Sequence, residues 1–410
     1  MPEYNSLLKH FSLEKVVSIL FPFLVLFTYI GRGIYNSTLF IILCATLYLI
    51  YKNKYQSIFK DGFFVFFVFF VFFVSITIPF ADDILLSSSK FGSFLFSSLS
   101  VIISGLYLYI YSLNKKRNLI IALYILFFSS VCMEIVTITS IYFDINMLVY
   151  IKTLGVIKVK VSNGFHLIEI FTAAIISLSL FLYYLKPSNI KLVFIIISII
   201  GILASTSRTA LLATIIPLLL FLLIKNRGRI FNKEFVFSII FMFLAFFIAF
   251  EISPQIQERV KTFKTTFTSD GDRMSGRFTV YEESFNRFKR SILTGHGIKH
   301  STKDFIIIKH EHFDEIVKHP HNIWLELLSD SGLLGFISFL IFLSFLLKSF
   351  YSKFKKENYI HKATVVGVLS SIFLSSLASW SIWSGNHIGP ILVILLIIYS
   401  LNNIKIVDNN

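Results

Sequence analysis

Three short segments hold the side chains best suited to chemistry. The first is Ser205-Thr206-Ser207-Arg208-Thr209-Ala210. An arginine between two apolar stretches is expensive unless it is paired, solvated or snorkelling, and its small hydroxylated neighbours, Ser207 among them, suit a polar pocket. A snorkelling interfacial arginine is the plain alternative. The second is Gly276-Arg277-Phe278-Thr279-Val280-Tyr281, continuing to Phe285 and Phe288. Apolar or aromatic residues at 278, 281, 285 and 288 recur at helical spacing, and Ser275 suits an N-cap. Arg277 would then stand at the mouth of an amphipathic helix on the membrane surface, where a guanidinium and a helix N-terminus together favour an anion. An ordinary surface helix with a solvated arginine fits the same pattern. The third is His319-Pro320-His321-Asn322, leading to Gly332 and Gly335. Pro320 favours a turn or helix start, which leaves His321 at a membrane–water boundary. Histidine titrates near working pH, so His321 is a candidate general base. It is also one loop histidine among several, with His296, His300, His310 and His312 nearby.

Other chemistries find less support. The loop histidines form no HExxH or other tight ligand spacing, so no metal site is expected. There is no Walker loop, no GxGxxG after a strand and no DxD-type acidic pair in the loop, which argues against a nucleotide-sugar donor held by a divalent ion. Glu134 and Glu169 fall within apolar stretches and are candidates for an ion path or for pocket lining. Cys44 and Cys132 also lie in apolar stretches and read as small buried hydrophobes.

The elements that must position these residues are membrane helices. The chain is 55% hydrophobic with 48 Phe, and only 15% of its residues are charged, against about 25% in a typical soluble chain. Stretches such as Gly62–Phe80 are apolar all round, which a soluble helical protein does not explain. Spans are expected near Leu13–Ile30, Ile34–Tyr51, Gly62–Phe80, Phe91–Ile110, Leu119–Ile141, Phe165–Leu185, Ile190–Thr206, Thr209–Ile224, Phe235–Ile252, Ile323–Leu347, Ala363–Trp380 and Ile388–Leu401. The fold class is therefore all-α, polytopic, with about 12 transmembrane helices and one large loop carrying short amphipathic helices. Three regions follow: an N-terminal bundle over 1–252, the loop over 253–322 and C-terminal helices over 323–410. The first span lacks a small-residue cleavage site and reads as a retained helix.

Charge orients the bundle. Alternate short connections carry 20 Lys and Arg, from Lys9 to Lys405, while the others carry six. The rich side is expected to be cytoplasmic, with both termini. The loop then lies outside, together with Arg208, Arg277 and His321. In such a protein the net charge of +15 concerns orientation, and no nucleic-acid partner is expected.

The order of these features resembles the bacterial O-antigen ligase and polymerase family. The ligase pattern is His with Asn, Ser or Gln, nine residues, Gly, two residues, then Gly, Thr or Tyr. His321-Asn322, Gly332 and Gly335 fit it throughout. Ser207-Arg208-Thr209-Ala210 looks like the family's outward-facing Ser-Arg segment. Gly276 to Tyr281 looks like its second arginine segment, and Gly295-His296-Gly297 resembles the Gly-x-Gly that often follows. The motif-bearing likeness covers roughly 205–335; earlier spans match only in number and hydrophobicity.

The resemblance implies a metal-independent, inverting glycosyltransferase of the bacterial inner membrane that works at the periplasmic face without a cofactor. The donor would be a glycan on undecaprenyl pyrophosphate, and the acceptor a lipid A-core sugar or a lipid-linked repeat unit. His321 would accept the proton of the acceptor hydroxyl. Arg208 and Arg277 would hold the pyrophosphate by bidentate contacts. Asn322 would orient the histidine or bind a sugar, with Ser207 and His319 as auxiliary residues. The complete His-Asn…Gly…Gly pattern favours a ligase; a repeat-unit polymerase shares the donor chemistry. A transporter of lipid-linked sugars is the reading from another class, but it predicts ionisable residues at mid-membrane, whereas here they gather at the outer boundary.

Overall fold

The computed structural model describes residues 12–142, 166–204, 208–227, 277–300, 306–309, 314–317, 319–354, 358–377 and 381–401, and the isolated helical positions Val236, Ile240, Leu244 and Phe247. The helices described in full before the loop are α1 (Leu13–Ile30), α2 (Arg32–Asn53), α3 (Gly62–Thr77), α4 (Ile84–Leu106), α5 (Lys115–Tyr142), α6 (His166–Leu185), α7 (Asn189–Ala204) and α8 (Arg208–Lys225). The loop contributes α9 (Arg277–Arg290) and the strands β1 (Ile306–Lys309) and β2 (Asp314–Val317). After it come α10 (Ile323–Phe354), α11 (Tyr359–Ser376) and α12 (Gly385–Leu401).

Eleven of the expected spans coincide with a described helix, and Phe235–Ile252 lies outside the described residues apart from its four isolated positions. Among the described residues, five helices are long and apolar enough to cross a membrane: Arg32–Asn53, Gly62–Phe80, Ile84–Tyr111, Lys115–Val136 and Ile323–Ser352. Others are shorter but equally apolar, such as Asn189–Ile202 and His387–Leu401. The chain is a helical bundle of the polytopic membrane type, with one departure among the described residues: the loop carries an antiparallel hairpin pairing Ile306 with Val317 and Lys309 with Asp314. Its apolar run of three isoleucines was too short for periodicity to separate from helix.

The bundle is apolar outside and partly polar inside. Phe40, Ile41, Tyr48 and Phe72 are each more than half exposed, as surfaces facing lipid require. Ser97, Ser98, Ser100 and Ser104 of α4 are buried. Small side chains let helices approach closely: a Cβ on Gly105 would stand 2.6 Å from Leu396 Cδ1 of α12. Side-chain oxygens close several helix starts, with Asp61 accepting from Phe63 N and Asp83 from Leu86 N, both at 2.8 Å.

Polar contacts sort the bundle into two ends. At the lysine-rich end Tyr111 donates to Asp61 (3.2 Å), Asn53 donates to Tyr107 (3.1 Å), and Lys225 and Arg227 lie over the rings of Tyr184 and Tyr359. The opposite end gathers the α3–α4 turn, the starts of α8, α10 and α12, the end of α11, and residues 277–300.

Candidate active site

The site is organised by a break in α10. Gly332 has φ +59° and ψ −160°, a conformation open essentially to glycine alone. It splits the helix into 323–331 and 333–354 and frees backbone groups that the loop then satisfies. Leu333 N donates to Ile292 O (2.8 Å) and Leu334 N to Leu293 O (3.2 Å). Facing them, His296 N donates to Ser329 O and Gly297 N to Asp330 O, both at 2.9 Å. The approach is too close for side chains: a Cβ on Gly332 would stand 2.5 Å from Leu293 C, and one on Gly295 2.5 Å from Asp330 C. Gly295 and Gly297 also adopt positive φ, at +67° and +104°. The Gly-His-Gly segment and the first motif glycine are thus two halves of one backbone clasp. Gly335 sits directly over Ser331, whose Cβ a new methyl would meet at 2.5 Å.

The clasp sets the loop against the segment that holds His321. Pro320 is buried, and His321 takes φ +54°. Four non-glycine residues among those described have positive φ. Lys54 and Arg227 end helices; the other two, Lys299 and His321, meet at this site, a placement typical of functional backbone strain. His321 N donates to His319 Nδ1 (3.2 Å), and the two rings lie 3.9 Å apart between centroids. Burial, together with the charge of Lys299, pushes His319 down to about 4 from its ordinary 6.5. His319 is therefore neutral at physiological pH, and its Nδ1 lone pair fixes the backbone of His321. Asn322 caps α10, its Oδ1 accepting from Trp324 N (3.0 Å) and Leu325 N (3.2 Å).

Beneath this turn lies a charged cluster that the motifs did not announce. Lys299 Nζ donates to Glu326 Oε1 (3.2 Å) and to Ser381 Oγ, and Lys299 N donates to Asp330 Oδ2 (2.9 Å). Glu326 also accepts from Ser381 Oγ (2.6 Å) and Ile382 N (2.9 Å). His387 of α12 accepts at Nδ1 from Ser381 N (3.2 Å) and lies within electrostatic reach of Lys299, His319 and His321. A signal existed: Glu326 and Asp330 are acidic residues at the start of an apolar span, where a carboxylate is costly without a partner.

The two arginines enter through their helices. Arg208 is the first residue of α8 and Arg277 the first of α9. Helix α8 runs antiparallel to α11: Ser371 Oγ donates to Ala213 O (2.8 Å), and Gly367 lies opposite Pro217 O. Continuing that register places the Arg208 backbone level with Ser376. Ser376 Oγ accepts from Trp324 Nε1 (3.1 Å), and Tyr281, one turn beyond Arg277, donates to Leu377 O (3.1 Å). The structure thus brings the starts of α8, α9 and α10 around one end of α11. Ser207 and Ser275 lie outside the described residues.

Helix α9 packs on the protein through a mixed face. Val280, Ser284 and Arg287 are buried, whereas Phe285 is 43% exposed. Tyr281 and Phe288 are half-buried, and Lys289 lies over the exposed Phe285 ring at 4.8 Å. Glu134 is fully buried in α5, against Gly201 of α7.

An apolar cavity of about 820 Å³ opens below the site between α3, α10, α11 and α12. It begins at Ile323, Trp324 and Ser376 and descends past Phe339, Leu369 and Ile372 to Phe350 and Tyr351.

No curated protein matches the chain. Residues 193–340 match the family model described as O-Antigen ligase. That stretch contains both arginines, the clasp, the charged lysine and the His321 turn, and it supports assigning the chain to the O-antigen ligase family.

Proposed function

We propose that the protein is an inverting glycosyltransferase of the O-antigen ligase type. It moves a glycan from undecaprenyl pyrophosphate to a sugar hydroxyl of a lipid A-core acceptor. The observation that carries this reading is the convergence of the His321 turn and the starts of α8 and α9 over a deep apolar cavity. Such a cavity suits part of a polyprenyl chain. Two helix N-termini headed by arginine suit a pyrophosphate, since the orphan backbone N–H groups and the guanidinium favour negative charge.

In this reading the acceptor oxygen attacks the anomeric carbon while His321 takes its proton. The bond from that carbon to the pyrophosphate oxygen breaks on the opposite face. Arg208 and Arg277 stabilise the charge that develops on the leaving group. Lys299 is engaged by Glu326 and Ser381, which supports a positioning role beneath the turn. The lysine asymmetry supports cytoplasmic termini and a site on the periplasmic face of the inner membrane.

Cells carrying His321→Ala provide the test, with protein level and membrane insertion checked. Loss of long-chain lipopolysaccharide banding with accumulation of lipid-linked polymer supports a ligase. Banding reduced to single repeats identifies a polymerase instead. Unchanged banding without a second copy of the gene overturns the assignment of His321.

A further inference from the structure

We propose that Asp82, His296 and His300 form a binding site for a divalent transition metal of the zinc class. The metal fastens the clasp loop to the α3–α4 turn. The three ligand atoms, one from each side chain, lie within 4.8 Å of one another. His296 Nδ1 stands 2.9 Å from Asp82 Oδ2, and His300 Nδ1 3.6 Å from the same oxygen. Ligand atoms about 2.0–2.1 Å from a tetrahedral zinc are about 3.3 Å apart, so each of these two separations is within a few tenths of an ångström of what the ion requires.

The tautomer of His296 supplies the second observation. His296 Nε2 lies 2.8 Å from Arg287 O. A carbonyl only accepts, so Nε2 carries the hydrogen. In the neutral ring Nδ1 then presents a lone pair to a carboxylate oxygen, and two acceptors face each other across 2.9 Å. A cation between them removes that conflict. A backbone carbonyl holding the far ring N–H is also the usual means of orienting a metal-ligating histidine.

The surroundings are built to hold the three residues in place. Asp82 N donates to His296 O (3.0 Å). A Cβ on Gly297 would stand 2.5 Å from Ala81 Cβ and Ser87 Oγ, so the loop meets this turn as closely as it meets α10. The histidine side chains are 15% and 17% exposed and Asp82 52%, which leaves a fourth coordination position to water. Two imidazoles and a carboxylate favour zinc or a similar ion over magnesium or calcium. Lys299 lies between the two histidines in sequence but reaches the other way, to Glu326, so the site acts on the placement of the loop.

The rival is a metal-free ion pair between a protonated His296 and Asp82. The full-length protein, purified in detergent without a histidine tag, separates the two by elemental analysis, thermal unfolding and cobalt absorption. The metal site predicts about one zinc-class ion per chain, a lower Tm after chelation and recovery on adding Zn²⁺. It also predicts visible bands of tetrahedral type after reconstitution with Co²⁺. His300→Gln and Asp82→Asn should lower the metal content roughly tenfold or more. The wild-type measurements stand even where a variant fails to fold. Wild-type protein without stoichiometric metal, with no shift on chelation and no cobalt bands, overturns the proposal in favour of the ion pair.

Discussion

Replacing Gly332 with alanine tests whether the clasp is what holds the loop to the bundle. Two costs add. The backbone at φ +59° and ψ −160° is one a residue with a Cβ occupies only at about 1–3 kcal/mol. The new methyl would also stand 2.5 Å from Leu293 C and 2.6 Å from Thr294 N. These are backbone atoms that cannot rotate away, so the segment must withdraw. Withdrawal breaks the bonds from Leu333 N to Ile292 O and from Leu334 N to Leu293 O, at about 1 kcal/mol each. The total is about 3–5 kcal/mol, or about two to three and a half decades in the local opening equilibrium. Hydrogen exchange read by mass spectrometry should show accelerated exchange across 291–300 and 329–334, with the far end of the bundle unchanged. Gly92→Ala is the control, because a Cβ there meets nothing within 4 Å. Equal exchange in wild type and Gly332→Ala, or equal acceleration by Gly92→Ala, would refute the reasoning.

Other outcomes follow from the same contacts. Lys299→Met strands Glu326, which is 1% exposed, and should cost about 3–5 kcal/mol; adding Glu326→Gln should restore much of that in thermal unfolding, and a double variant no better than the single one would contradict the pairing. His319 is pushed down to about 4 from 6.5, so the unfolded chain takes up its proton first. Stability should fall as pH drops through that window and level off below it. His319→Gln should flatten this limb of a Tm–pH curve, and an unaltered slope would remove His319 as its cause. Leu369→Trp, inside the cavity, should raise KM for a polyprenyl-linked donor more than it lowers kcat. A kcat defect at unchanged KM would count against the cavity as the lipid site.

The sequence carried the bundle well, for physical reasons. Apolar stretches long enough to cross a bilayer leave little choice of structure, and Leu13–Ile30 appears as one helix with those bounds. The His321 turn and the two arginines stood out as candidates because residue type, order and charge asymmetry agreed. Tertiary juxtapositions were not legible. Asp82 lies 214 residues from His296, so no local spacing could reveal their contact, and the expectation that the loop histidines form no tight ligand set counted only neighbours in sequence. Lys299 was hidden among loop lysines until Glu326 and Ser381 gave it partners. Asn322 was expected to orient the histidine or bind a sugar, yet its side-chain oxygen is engaged in capping α10. Helix α9 was expected from its period, whereas the burial of Ser284 and Arg287 beside Val280 had no signal in that period.

The most direct test of the central claim is the initial rate of glycan transfer by the purified protein in vesicles. It takes a defined polyprenyl-pyrophosphate glycan and a core saccharide, and compares wild type with His321→Asn. Asparagine tolerates the positive φ at position 321, so the turn should survive and the Tm should match that of wild type. If His321 is the base, transfer should fall by about 10²–10⁴-fold, and the donor should bind as before. A folded His321→Asn protein that transfers at the wild-type rate would contradict the account.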